Sequence, residues 1–248
     1  MRPVLFFIHI PKCAGSSLIK VILRHFKKRA IALQNPELRR SLEEEPNSAR
    51  DDKYDAVYGH FQFGMHGKFD RPPIFLSCVR DPIDRVCSLF NFIHLCGDHN
   101  LHKYLRDQIP DINKMSEEHL KGQKQLEIAM KNHICRALGG QECDAAGFPR
   151  FEARVLRQMS DGSLNVGDIG VAKKWLESVW ILPAGSDLPE ENVTAQMHVQ
   201  HDFEWASAAT LAPATLERLK EWNALDIKLV ESIAWKNFID GRAPRPSS

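Results

Sequence analysis

The composition of this chain is that of an ordinary folded protein, and its charge is nearly balanced. Its 248 residues are 43% hydrophobic and 26% charged, and the formal net charge is +1. A chain of this length can bury a substantial core, as one large domain or two small ones. The balanced charge argues against a general nucleic-acid binder, which needs a strong basic excess. Any positively charged site must therefore be local.

The cysteines and the amino-terminal residues predict a cytoplasmic protein. No C-x-x-C pair and no signal peptide is present, so we expect reduced thiols rather than a disulfide framework. The apolar run Val4–Ile10 is too short to cross a membrane, and we expect no stable membrane insertion. A chain from which a membrane anchor had been removed would look the same. The six cysteines are Cys13, Cys78, Cys87, Cys96, Cys135 and Cys143.

A strand–loop–helix pattern opens the chain and then recurs. Val4–Ile10 is continuously apolar, which predicts a buried strand. From Ser16 onward apolar residues return at helical spacing, which predicts a helix. Asp55–Phe61 and Pro73–Val79 are typical of two further short strands. The charged segment Asn35–Lys53 precedes both of these strands and predicts a surface excursion with a short helix.

The third strand leads into a helix with clear start signals. Asp81 can cap a helix, and Pro82 suits its first position, where no backbone N–H is needed. A buried stripe should follow, formed by Ile83, Val86, Cys87, Phe90 and Ile93.

The second half of the chain is mostly helical in its patterns. We predict helices over Glu117–Leu138, Phe148–Met159, Val171–Trp180 and Pro213–Ile239, and a strand over Leu164–Ile169. The repeated strand–loop–helix units predict an α/β fold with a P-loop-like central parallel sheet flanked by helices. We predict a single domain over residues 1–240 and a disordered tail over residues 241–248.

The residues between the first strand and the first helix have the composition of an anion-binding loop. Backbone N–H groups at a helix N-terminus favour an anion, and the helix dipole adds to this. Gly15 lets the backbone approach a ligand closely, Ser16 and Ser17 add hydroxyl donors, and Lys12 adds a full charge. A tight strand–helix turn that binds nothing is the alternative explanation.

This loop differs from the common nucleoside-triphosphate loop. That loop reads G-x-x-x-x-G-K-[ST], with a lysine after the last glycine and a hydroxyl for magnesium. Here Lys12 precedes Gly15, and no G-K-[ST] occurs in the chain. The sequence therefore disfavours a magnesium–triphosphate site.

A second anion site is predicted after the third strand. Arg80 ends that strand, and Ser88 lies about two turns into the following helix. The planar guanidinium of an arginine binds phosphate through paired, charge-assisted hydrogen bonds. Open α/β sheets bind nucleotides at the carboxyl ends of neighbouring parallel strands, which is where both predicted sites lie.

These two segments resemble those of a known enzyme family. H-I-P-K-C-A-G-S-S and R-D-P-I-D-R-V-C-S are similar to the 5′-phosphosulfate and 3′-phosphate signatures of sulfotransferases that use 3′-phosphoadenosine 5′-phosphosulfate (PAPS). The particular pattern resembles the carbohydrate branch with heparan sulfate 2-O-sulfotransferases and their bacterial relatives. N-H-I-C-R-A-L-G-G at 132–140 and L-x-x-x-N-x-L-D-I-x-L at 219–229 are further similarities.

The resemblance implies a reaction and a set of roles. A sulfuryl group would pass in line from PAPS to a hydroxyl of a carbohydrate or glycoconjugate, leaving adenosine 3′,5′-bisphosphate (PAP), without a metal. Lys12 would contact the 5′-phosphosulfate and stabilise the departing phosphate oxygen, and Arg80 and Ser88 would bind the 3′-phosphate. The residues that would cradle the 5′ group are Cys13, Ala14, Gly15, Ser16 and Ser17.

His60 is the candidate general base, since histidine is best matched to proton transfer near neutral pH. It lies at the end of a predicted strand and corresponds to the second histidine of an H-G-H segment in the resembled branch. Tyr58 replaces the first histidine, which leaves the acceptor open. A structural, hydrogen-bonded histidine is the alternative. His9 is the rival base but should be structural, in a strand buried on both faces, and His66 is a weaker candidate.

Two further groups of polar residues need an interpretation. His94, Cys96, His99 and His102 lie close in sequence, as do His198 and His201, but neither group has a standard metal-site spacing. We predict no metal and an exposed acceptor-side loop for both. Asn132 and Arg136 share a helix face, and acceptor contact and structural capping both remain open for them.

Three functions are thus open at this point. The first is a PAPS-dependent sulfotransferase acting on a hydroxyl acceptor such as a glycan, a glycolipid or a small alcohol, with no nucleic-acid partner. The second is a kinase that uses ATP and magnesium, which the missing G-K-[ST] disfavours. The third is a non-catalytic nucleotide-binding protein.

Overall fold

A computed structural model describes residues 2–61, 65–139, 144–189 and 203–246. The chain divides into two compact units, which we name the sheet unit and the helical unit. The sheet unit contains Met1–Val79, Ile134–Glu191 and Leu229–Ser248, and the helical unit contains Arg80–His133 and Asn192–Lys228. The single domain over residues 1–240 stays a prediction.

The sheet unit is built on five parallel strands, which confirms the predicted α/β class. Their order across the sheet is β2-β3-β1-β4-β5, and every pair of neighbours is parallel. The first strand is the central one, and all five of its residues are buried. The strands are β1 (Val4–Ile8), β2 (Ala30–Ala32), β3 (Ala56–Gly59), β4 (Pro73–Cys78) and β5 (Leu164–Gly167).

Three neighbouring strands end at the same edge of the sheet. Ile8, the last residue of β1, pairs with Gly59 of β3 and with Ser77 of β4. The hydroxyl of Ser77 donates a buried hydrogen bond of 2.9 Å to the carbonyl oxygen of Ile8. The chain segments that leave β1 and β3 therefore start side by side.

Twelve α-helices lie in the described part of the chain. Four short 3-10 helices accompany them, at Lys27–Arg29, Met65–Lys68, Ile112–Lys114 and Ala208–Thr210. No described helix is both long enough and apolar enough to cross a membrane. The α-helices are α1 (Gly15–Phe26), α2 (Pro36–Glu44), α3 (Asn47–Lys53), α4 (Pro82–Leu95), α5 (His102–Gln108), α6 (Glu117–Lys121), α7 (Lys124–Met130), α8 (His133–Gly139), α9 (Phe148–Ser160), α10 (Ile169–Ser178), α11 (Pro213–Trp222) and α12 (Ala224–Ile239).

The charged segment after β2 is more than a surface excursion, and this prediction was wrong in part. It forms α2 and α3, and Arg50 of α3 is only 2% exposed. The guanidinium of Arg50 donates to the carbonyl oxygens of Lys68, at 2.7 Å, and of Ser41. A buried cation is tolerated where carbonyl oxygens replace its water, so this arginine anchors the segment.

The helical unit begins with the predicted cap. Asp81 accepts hydrogen bonds of 2.9 Å from the backbone N–H groups of Ile83 and Asp84, and Pro82 is the first residue of α4. The apolar face of α4 then packs into a core with α5, α6, α7 and α11. Its fully buried members include Val86, Phe90, Ile93, Leu105, Leu120, Leu126, Met130 and Leu219.

Two predicted long helices are broken in the structure. Glu117–Leu138 is divided into α6, α7 and α8, and the last break is at Asn132, which has a φ of +44°. Pro213–Ile239 is divided into α11 and α12 at Asn223. Asn132 and Asn223 form hydrogen bonds with backbone groups that these helix ends leave unpaired. Asn132 Oδ1 accepts hydrogen bonds from the backbone N–H groups of Leu225 and Asp226, at 3.1 and 3.2 Å.

Candidate active site

The loop after β1 forms the predicted strand–loop–helix junction. Lys12 and Ala14 have φ values of +68° and +59°, a left-handed conformation that costs a non-glycine residue roughly 1–2 kcal/mol. Ala14 is the N-cap residue of α1, and its methyl side chain cannot accept a hydrogen bond. No acidic residue lies in the first turn. The first N–H groups of α1 and the dipole thus favour an anion from outside the helix.

The loop residues divide into anchors and exposed groups. Cys13 is 2% exposed, and its backbone N–H donates to the carbonyl oxygen of Ile10 at 3.3 Å. Gly15 and Ser17 are also buried, whereas Lys12 is half-buried and Ser16 is exposed. Cys13 is thus an anchor of the loop, with its backbone N–H already bonded within it.

The side chain of His9 leaves room only for a glycine at position 15. A Cβ atom added to Gly15 would lie 1.9 Å from Cδ2 and 2.2 Å from Nε2 of His9. The sequence had suggested close approach to the ligand as the reason for a glycine here. In the structure, the imidazole of His9 occupies the space that a larger residue would need.

His9 lies outside the strand in which it was predicted. Strand β1 ends at Ile8, and His9 follows it, half-buried. Its backbone N–H donates to the carbonyl oxygen of Gly59 at 2.9 Å, so it continues the pairing of β1 with β3. Burial, together with the charges of His60 and Lys12, lowers the pKa of His9 to about 4. This imidazole is therefore neutral near pH 7.

His60 follows β3 directly and is exposed. Its Nδ1 lies 2.7 Å from the carbonyl oxygen of His9, and because a carbonyl oxygen can only accept, Nδ1 must carry the hydrogen. In the neutral ring, Nε2 then holds the lone pair that can accept a proton. The two imidazoles stack with centroids 4.5 Å apart and planes inclined by 24°. Both the hydrogen bond and the stacking fix the orientation of His60.

His66, the weaker candidate base, packs elsewhere in the sheet unit. Its ring meets Phe75 edge-on, with centroids 5.2 Å apart. Phe75 pairs with Phe6 of β1, two positions before the edge at which β1 and β3 end. Burial lowers the pKa of His66.

In the helical unit, Arg80 and Ser88 flank the start of α4. Nη2 of Arg80 lies 3.6 Å from a carboxylate oxygen of Asp84, and the two side chains are 46% and 42% exposed. An exposed ion pair of this kind contributes little free energy, so Arg80 can exchange Asp84 for another anion at low cost. Ser88 is half-buried within α4.

Two histidines of the group around α4 lie within hydrogen-bonding distance of backbone carbonyl oxygens. The prediction that this group forms an exposed loop was wrong for His94. His94 is 7% exposed, and its Nε2 lies 3.1 Å from the carbonyl oxygen of Ile109. Nδ1 of His102 lies 2.9 Å from the carbonyl oxygen of Ile93. The described residues contain no group of three or more metal-ligating side chains. His198 and His201 lie outside the described residues.

Five of the six cysteines lie in the described residues, and no disulfide joins any two of them: Cys13, Cys78, Cys87, Cys96 and Cys135. Burial raises the pKa of Cys78 well above its usual value. Burial, with Asp84 nearby, raises the pKa of Cys87 to about 12. Both groups are therefore protonated thiols at neutral pH, and neither has the low pKa typical of a nucleophilic cysteine. Cys143 lies outside the described residues.

The chain has an α/β fold in which the segment with Lys12 connects the carboxyl end of a central parallel strand to the N-terminus of α1. Residues 2–158 match the model of the sulfotransferase family. The match covers more than half of the chain and includes Lys12, His60, Arg80 and Ser88. The chain belongs to the sulfotransferase family. A comparison with curated proteins found no match.

Proposed function

We propose that this sulfotransferase takes its sulfuryl group from PAPS and transfers it to a hydroxyl of a carbohydrate or glycoconjugate, with His60 as general base. The observation that carries this proposal is the hydrogen bond from His60 Nδ1 to the carbonyl oxygen of His9. It leaves Nε2 as the proton acceptor, on the strand end next to the lysine loop. Members of this family generally use PAPS as donor.

The loop from Lys12 to Ser17 suits a phosphosulfate better than a magnesium–triphosphate. In the triphosphate loop a serine or threonine hydroxyl follows the lysine and binds magnesium. Here Cys13 follows Lys12, and its side chain is buried. The groups proposed to bind the anion are Lys12, the N–H groups that begin α1 and the exposed residue Ser16.

His60 and Lys12 are proposed to act at the two places where charge changes during sulfuryl transfer. His60 accepts the hydroxyl proton at Nε2 while the acceptor oxygen bonds to sulfur. The bond between sulfur and the 5′-phosphate oxygen breaks, and that oxygen gains negative charge. The N–H groups at the start of α1 point out of the helix end, and Lys12 is proposed to add its charge there; donors placed in advance act most strongly where charge develops.

Arg80 and Ser88 are proposed to bind the 3′-phosphate of the donor. The weak ion pair of Arg80 with Asp84 supports this role, because a phosphate offers two oxygens to a guanidinium and a stronger, bidentate contact. The family match, which includes both residues, is the second support.

The acceptor is proposed to be a neutral or weakly charged glycan or glycolipid. A highly anionic polysaccharide favours an extended basic groove, whereas the net charge here is +1. Tyr58 takes the place of the first histidine of the resembled H-G-H segment, which is a reason to expect a different acceptor from that of the resembled branch.

Two measurements test the function. Calorimetry should give tighter binding of PAP than of ATP with magnesium, and a preference for ATP would overturn the proposal in favour of a kinase. Transfer of radiolabelled sulfate from PAPS should then be screened over neutral glycans, glycolipids, anionic polysaccharides and small alcohols. PAP binding without transfer to any class would support a non-catalytic nucleotide-binding protein instead.

A further inference from the structure

His9 contacts both parts of the proposed catalytic apparatus in the sheet unit. Its imidazole lies against Gly15 so closely that a Cβ there would be within 3 Å of Cδ2, Nε2 and Cγ. The same imidazole stacks on His60 at 4.5 Å. Its carbonyl oxygen also accepts the Nδ1 hydrogen of His60. One residue thus contacts the base through both its ring and its backbone.

We propose that His9 is a positioning residue for sulfuryl transfer, which holds the ring of His60 in its reactive orientation while it fixes the lysine loop at Gly15. This inference rests on the proposed function, since it takes His60 as the base. It gives His9 a different role from that of a rival base or of a residue that only fills the core.

The physical basis of the proposal is contact between neutral rings. An exposed histidine on its own samples several orientations and both tautomers, and each unproductive state lowers the fraction ready to accept a proton. Stacking restricts the ring of His60, and the carbonyl oxygen of His9 selects the tautomer with hydrogen on Nδ1. The low pKa of His9, caused first by burial and then by His60 and Lys12, keeps its ring uncharged in this arrangement.

Because the ring of His9 contacts both Gly15 and His60, a substitution at Gly15 should also affect His60. If Gly15 were replaced by alanine, the new methyl group would displace the imidazole of His9 before it reached any other described side chain, because the three nearest atoms all belong to that ring. His60 would then lose its stacking partner, although Gly15 and His60 are on different strand–loop junctions.

Substitutions that remove or replace the ring of His9 test the proposal through their effect on kcat. His9→Ala should lower kcat about 10- to 100-fold, a part of the 10²- to 10⁴-fold that a general base supplies, and should change the Kd of PAP less than it changes kcat, since the groups proposed to bind the 5′ phosphate are retained. His9→Phe keeps a flat ring and should recover most of the loss. If His9→Phe is as slow as His9→Ala, a nitrogen of His9 is needed and the proposal is overturned. Unchanged kcat in His9→Ala also overturns it.

A paired substitution tests the contact with Gly15. In the wild-type background, Gly15→Ala should lower the urea midpoint of unfolding because the methyl group collides with His9. In the His9→Ala background the same change should lower the midpoint much less, since the colliding ring is gone. Equal shifts in the two backgrounds would contradict the contact. His25→Ala, at an exposed histidine in the last turn of α1, is the matched control.

A measurement that needs no turnover separates this inference from the proposed function. Nitrogen-15 NMR of the histidine side chains should show His60 in the Nδ1–H tautomer in the wild type. His9→Ala keeps the backbone carbonyl oxygen but lacks the stacked ring, so the ring of His60 should leave this hydrogen bond for part of the time and show a fraction of the Nε2–H tautomer. If the wild type transfers no sulfate but this shift occurs, the function fails and the positioning contact stands. If sulfate is transferred and His60 is identical in the two proteins, the positioning role is overturned while the function stands.

Discussion

His60 donates its Nδ1 hydrogen to the carbonyl oxygen of His9 over 2.7 Å, which leaves Nε2 as the proton acceptor. We therefore predict that His60→Ala lowers kcat by about 10²- to 10⁴-fold, the usual contribution of a general base. Binding of PAP should change less than about threefold. Steady-state sulfate transfer and calorimetry measure the two effects, and His25→Ala serves as control. Near-normal turnover in His60→Ala would show that the base is another group.

Lys12 should affect both binding and turnover. Its charge is proposed to hold the 5′ group and to stabilise the departing oxygen, so Lys12→Ala should lower kcat by about 10²- to 10³-fold and weaken PAP binding about tenfold or more. Lys28→Ala, at an exposed lysine beyond the end of α1, should change neither. Wild-type affinity for PAP in Lys12→Ala would remove Lys12 from the donor site.

Arg80 should recognise the 3′-phosphate specifically. We predict that Arg80→Ala weakens PAP binding by about 10- to 100-fold, the range of a charged hydrogen bond, while binding of adenosine 5′-monophosphate stays the same. Ser88→Ala should have a smaller effect of the same kind. Arg106→Ala, at an arginine that is 68% exposed in α5, is the control. An equal loss for both nucleotides would mean that Arg80 does not contact the 3′-phosphate.

Acid should destabilise the protein partly through His9. Its pKa is 6.5 in the unfolded chain and about 4 in the folded one, so between these values the unfolded state binds a proton that the folded state does not. The contribution is complete above pH 6.5 and is lost as the pH falls toward 4, by at most about 3 kcal/mol. The free energy of unfolding in urea should therefore decline less from pH 7 to pH 4.5 in His9→Phe. Parallel declines would show that His9 titrates normally.

Asn132 is predicted to act on stability. Its Oδ1 caps the start of α12 through Leu225 and Asp226, and its φ of +44° is unfavourable for most residues. Asn132→Gly should lose only the cap, about 1 kcal/mol, whereas Asn132→Ala should lose about 1 kcal/mol more for the left-handed backbone. Urea unfolding measures both. A loss of kcat in stably folded Asn132 variants would instead support contact with the acceptor.

The sequence predicted the features that depend on local patterns. Particular residue types at fixed spacing mark the apolar run of β1, the segment from Lys12 to Ser17 and the cap at Asp81. The parallel α/β sheet follows from the repetition of such strand–loop–helix units. The start of α4 is confirmed to the residue, because aspartate followed by proline is a strong local signal.

The remaining features depend on contacts distant in sequence. Apolar spacing continues through Asn132 and Asn223, so the pattern gave no sign of the breaks, which the two asparagines stabilise across 91 residues. Strand β2 has three residues, too few for a periodic signal. The contacts of His9 could not be foreseen either, because they join it to His60, 51 residues away.

The register of β1 and β3 fixes the distance between the residues that follow the two strands. Ile8 faces Gly59, so the groups that follow them are held at a separation that the hydrogen bonds of the sheet determine. A slip of one residue would shift His60 by about 3.3 Å along the strand and reverse its side. Segments that do not alter this pairing can vary in length and composition at no cost to the alignment of base and loop. Under the proposed function, acceptor preference can therefore diversify, by natural or directed evolution, while His60 and the lysine loop keep their relative placement.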